Sequence, residues 1–107
     1  MAAITMTSSE GTRRVACAAS AGNLQLVTLP AGSIAVLLYS VAAAGKVTHT
    51  GDDAAAIGTA YATLPATTWV TVPLSNRAAW APSGGAPSIR LAHTDNNGVI
   101  EVVPVFG

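Results

Sequence analysis

Residues 33–45 read SIAVLLYSVAAAG, and no other stretch restricts the fold as much. It is apolar on every side. At 13 residues it is too short for a membrane-spanning helix, which needs about 20. Read as a strand, Ile34, Val36 and Leu38 share one face, and Ala35, Leu37, Tyr39 and Val41 share the other. The β-branched and aromatic residues favour a strand, while Ala42 to Ala44 favour a helix. Short apolar runs are ambiguous by periodicity alone, so the neighbours decide. Leu29-Pro-Ala-Gly32 is a turn signal before the run and Gly45 closes it. The stretch is therefore expected to be a strand with two apolar faces. A two-layer sandwich covers one face of each sheet. The second face needs another cover, a loop, a helix or a neighbouring subunit, and a second copy of the chain is the preferred one. Burying about 500 Å² of apolar surface in this way is worth ~10 kcal/mol before association costs.

Similar short segments recur: residues 12–18 (TRRVACA), 24–29 (LQLVTL), 57–63 (IGTAYAT), 67–74 (TTWVTVPL), 88–93 (SIRLAH) and 99–105 (VIEVVPV). Turn-forming clusters separate several of them. This pattern predicts an all-β protein, a compact antiparallel β-sandwich of jelly-roll type with seven or eight short strands. Residues 1–10 read as a polar lead that adds the eighth strand at 4–7 or serves as an arm. Residues 11–107 read as one domain. Single helical turns are expected at 52–56 or 77–80. In TTWVTVPL, Val70, Val72 and Leu74 are expected inward and Trp69, Thr71 and Pro73 outward. The last two segments read as a hairpin with its loop at Asp95-Asn-Asn-Gly98, Gly98 left-handed. That hairpin would place Ile89, Leu91, Ile100 and Val102 on one face and bring Arg90 near Glu101. Pro104, with no N–H to donate, is expected at an edge.

Charge bears on partners. Charged residues are 9 % of the chain, five basic against five acidic. A neutral surface does not attract a phosphate backbone, and Arg13-Arg14 is too small a basic patch for nucleic acid. Cys17 is the one cysteine, so neither an internal disulfide nor a cysteine metal site is expected. It sits in an apolar run and reads as a buried structural thiol. The start, MAAITMTSSEGTRR, shows no signal-peptide pattern, which leads us to expect a soluble protein made in the cytoplasm.

Chemistry-bearing clusters are few. His49, Asp52 and Asp53 read either as a metal or acid–base site or as a polar turn in which Asp52 caps a short alanine turn, and the turn is preferred. The segment from His93 to Gly98 departs from a calcium loop, because its glycine comes two residues early and Phe106 stands where the bidentate glutamate belongs. Ser88, His93 and Asp95 lack a nucleophile elbow. Gly84-Gly85 is not followed by a helix with lysine, so it is no phosphate cradle. No enzymatic activity and no cofactor are expected. The aromatics Tyr39, Tyr61, Trp69 and Trp80 leave a glycan platform open, with Asn76 and Arg77 near Trp80.

Over its length the chain resembles, in style, the small β-sandwich virion proteins of tailed bacteriophages, above all capsid decoration or cement proteins. The resemblance lies in the polar lead MAAITMTSSEGTRR, the Ala/Thr/Val-rich segments SIAVLLYSVAAAGKVTHTG and IGTAYATLPATTWVTVPL, and the apolar end SIRLAHTDNNGVIEVVPVFG. It implies a non-enzymatic structural protein on the capsid surface, forming homo-oligomers (trimers favoured) and contacting the major capsid protein. The alternative is a glycan- or receptor-binding module of a phage tail or fibre. Leu37, Tyr39, Trp69, Trp80 and Phe106 are the expected interface residues.

Overall fold

The computed structural model describes residues 4–17, 24–48, 61–74 and 87–106. Among these described residues, nine strands follow in chain order: β1 (Ile4–Thr5), β2 (Arg13–Ala16), β3 (Leu24–Thr28), β4 (Ser33–Ser40), β5 (Gly45–Thr48), β6 (Ala62–Leu64), β7 (Trp69–Pro73), β8 (Ser88–His93) and β9 (Val99–Phe106). They form two packed sheets, ordered β1-β3-β8-β5-β6 and β2-β9-β4-β7. The antiparallel partners nest: β2 with β9, β3 with β8, β4 with β7, β5 with β6. The chain thus folds back once as a long ribbon. The ribbon then rolls up through the β4–β9 and β5–β8 pairings. This is the jelly-roll arrangement expected from the sequence. β1 joins in parallel on β3, and Met6 behind it is buried, which builds this part of the polar lead into the sandwich.

Alternation puts one side chain in two into a shared interior. Val15, Val36, Leu38, Ile100 and Val102 enter from one sheet, and Val27, Val47, Ile89 and Leu91 from the other. In β7, Val70 and Val72 pack on this core and Leu74 is buried, while Trp69, Thr71 and Pro73 are exposed, as expected. Ile34 departs from its assigned face. The β4–β9 register shifts between Ser33 and Ala35, and this bulge leaves Ile34 44 % exposed while Val36 and Leu38 stay buried.

Two expectations are corrected. β5 is a strand the sequence reading did not assign: residues 41–44 turn a corner into the other sheet, and Gly45–Thr48 then pairs with β6 and β8. The final hairpin does not form either. The Asp95–Gly98 turn is present, with the Gly98 N–H on the Asp95 carbonyl at 3.1 Å. Its flanks, however, enter opposite sheets, β8 pairing with β3 and β5, and β9 with β2 and β4. Ile89 and Leu91 meet Ile100 and Val102 across the core instead of side by side, and both arrangements demand the same apolar alternation. Arg90 and Glu101 consequently lie on different sheets. Asn97, not Gly98, takes the left-handed conformation, with φ 56°. Pro104 lies past the last β2 pairing, Arg13 with Val102, so its missing N–H falls where β9 has no β2 residue beside it.

Two of the chain's crossings between sheets, β4 to β5 and β8 to β9, lie against each other. His93, 4 % exposed, joins them. The Asp95 N–H donates to its Nδ1 at 2.9 Å and its Nε2 lies 2.8 Å from the Val41 carbonyl, which together place the ring proton on Nε2. The Val41 N–H bonds to Val99, and Thr94 reaches Ala44 with both its N–H and its hydroxyl. Gly98 lies flat on the imidazole: a Cβ there would come within 2.0 Å of Nδ1. Gly98→Ala is therefore expected to lower unfolding free energy by about 2–4 kcal/mol in urea titrations. At the other crossing, Ala43 N–H to Val41 O closes a γ-turn at 2.8 Å with Ala42 at φ 69°. Ala42→Gly should relieve that strain and raise stability by about 0.5–1 kcal/mol in the same assay.

Candidate interaction surface

The outer face of β2-β9-β4-β7 presents side chains in rows set by register. One row runs Arg14, Glu101, Tyr39, Trp69 across all four strands. The next runs Val103, Leu37, Thr71, and the one beyond it Val105, Ala35, Pro73. Leu37, Tyr39, Val103 and Val105 are half-buried, and Trp69 is 48 % exposed. Their inward neighbours on the same strands are buried, so β4 does carry two apolar faces. Among the described residues, the charges in these rows are Arg14 and Glu101, which form an ion pair with each other. The Tyr39 and Trp69 rings lie 5.1 Å apart with their planes tilted at 44°, within the separation at which aromatic pairs attract.

Of the residues expected at an interface, Leu37, Tyr39 and Trp69 lie together on this face. Phe106 does not join them. By register it belongs with Val102 and Pro104 on the inward side of β9, yet it lies at the strand end beside the bulge and is 44 % exposed. Trp80 lies outside the described residues, as do His49, Asp52, Asp53, Asn76, Arg77, Gly84, Gly85 and both segments expected to form helical turns. Sequence reading missed the place of Arg14 and Glu101 beside the aromatic pair. The pairing of β2 with β9 joins residues 87 positions apart, and no local pattern announces it.

The outer face of the other sheet is more polar. Thr28 and Ser88 share a hydrogen bond at 3.2 Å. Arg90 is 4 % exposed although it faces outward. A groove of about 480 Å³ runs along Ala44, Gly45, Lys46, Tyr61, Thr63, Ala92, His93 and Thr94, with the Lys46 ammonium 4.5 Å from the Tyr61 ring centre. Ser88 and His93 point to opposite sides of β8, so these two and Asp95 do not converge. Among the described residues, no cluster of three His, Cys, Asp or Glu side chains is placed to hold a metal ion. Nor, among them, is any helix long and apolar enough to cross a membrane.

Comparison of the chain with models of known protein families, with curated proteins and with solved structures finds no match.

Cys17 lies buried behind β2, its N–H on the Gly98 carbonyl at 2.9 Å. Burial disfavours the thiolate and pushes the thiol from an ordinary 9.0 up to about 12. The folded chain thus keeps a proton that the unfolded chain releases near pH 9. The associated stability is intact below pH 9 and is lost as pH rises toward 12. Native protein at pH 8.5 should resist alkylation by iodoacetamide, and the same chain in denaturant should react; mass spectrometry distinguishes the two. Fast native labelling would contradict the burial.

Proposed function

We propose that this protein is a non-enzymatic structural β-sandwich that works by packing against copies of itself, as a decoration protein on a phage capsid. The observation that carries the self-association is the outer face of β2-β9-β4-β7. Its rows place Ala35, Leu37, Val103 and Val105 together, and its only charges among the described residues cancel in one ion pair. Apolar side chains gathered on one face are the usual mark of an interaction surface. The low overall charge does little to hold copies apart.

The capsid setting rests on the resemblance in sequence. A shell under internal pressure gains from many copies of a stable clasp, and such a clasp needs complementary apolar surface, not an active site. The resemblance favours a trimer, with the major capsid protein as the second partner.

Size-exclusion chromatography with light scattering tests self-association. At micromolar concentration the protein should run as a small oligomer. Leu37→Asp or Val105→Asp should weaken association by at least about a hundredfold, because each would bury an unpaired carboxylate. Thermal melts confirm that both variants fold. A monomeric wild type contradicts the reading. For the setting, the protein should bind emptied phage heads from its source at a fixed ratio to the shell subunits.

A further inference from the structure

The row Arg14–Glu101–Tyr39–Trp69 has a composition that self-association does not require. Self-association is served by the apolar rows around Leu37 and Val105. This row instead sets two aromatic rings in tilted contact beside a hydrogen-bonding pair, all in register on neighbouring strands. We propose that it is a binding site for a neutral carbohydrate.

The chemistry follows from the parts. The C–H face of a pyranose carries slightly positive hydrogens, which settle on the negative face of an aromatic ring. Trp69 at the edge strand offers such a face, and Tyr39 braces it at 5.1 Å. Next in the row, the Arg14 guanidinium presents N–H donors and the Glu101 carboxylate presents acceptor oxygens, side by side. Adjacent sugar hydroxyls each donate and accept, so a vicinal diol matches that pair. Arg14 is well exposed, with 60 % of its side chain accessible, and Glu101 is partly so. The row has no net charge, which selects a neutral glycan over a uronate or a sulfated one. Four strands at about 4.8 Å spacing span roughly 14 Å, enough for a disaccharide laid across them. Trp69 and Tyr39 are among the aromatics of the glycan platform that the sequence leaves open. The polar partners here, however, are Arg14 and Glu101, from strands distant in sequence, and not Asn76 and Arg77.

Affinity electrophoresis tests the proposal, with native gels cast with a soluble glucan, mannan, galactan or xylan, and a sulfated galactan as the acidic control. At least one neutral polysaccharide should retard the protein. Trp69→Ala should weaken that binding by about tenfold or more, and Arg14→Ala by about tenfold. Trp69→Phe, which keeps a ring, should retain most of it. Val105→Asp lies two rows away and should leave retardation unchanged whether or not it dissociates the oligomer, so the two readings fail separately. The proposal is overturned by no retardation in any neutral gel. Retardation that survives both Trp69→Ala and Arg14→Ala, or a preference for the sulfated gel, overturns it equally.

Discussion

The imidazole of His93 ties the two sheets together where the chain crosses between them. Its two nitrogens hold the Val41 carbonyl of one crossing and the Asp95 N–H of the other. A sandwich whose nested ribbon rolls up passes repeatedly from one sheet to the other, two of these crossings meet at this corner, and each removes backbone groups from the ladders. Buried backbone polar groups left unpaired are costly, so side chains must serve them. His93, Thr94 and Ser40 do so, Ser40 through its hydroxyl on the Ala43 carbonyl at 2.6 Å. The close fit of Gly98 and Gly45 follows from the same crowding, since a Cβ on Gly45 would meet the Ala92 carbonyl at 2.8 Å.

Strain gathers at this corner. Ala42 and Thr67 both hold left-handed backbone, at φ 69° and 53°, and the Thr67 N–H bonds to the carbonyl of Ser40. A β-branched residue in that region is unusual and persists only where its surroundings dictate it. The corner dictates it by bringing β4, the start of β7 and the end of β8 to one point. From there β4 runs straight through the sheet, which sets Tyr39 beside Trp69 on one side and Glu101 on the other. The outer rows thus descend from the corner's geometry, although none of their side chains takes part in it.

The self-association and carbohydrate readings share this sheet but not its rows. The apolar rows lie toward the bulge at Ser33–Ala35, and the mixed row lies toward the corner. Register separates them: side chains two residues apart on one strand are about 7 Å apart along it, enough to give neighbouring rows different chemistry on one continuous surface.

The all-β class, the layered architecture and the inward and outward faces of β7 were legible in the sequence, because alternation and turn residues act over a few positions. So was the doubled apolar character of β4, since each of its side chains declares its polarity whatever lies opposite. Which strands lie side by side was not legible. Ile89, Leu91, Ile100 and Val102 satisfy the same pattern as a hairpin or as two walls of a core, and only the tertiary structure chooses between them. That choice turned an expected Arg90–Glu101 pair into Arg14–Glu101, moved Glu101 beside Tyr39, and made a strand of Lys46-Val-Thr48. Local chemistry determines which way a side chain faces. Its neighbours are determined by closure of the whole ribbon around one interior, which no short stretch of sequence records.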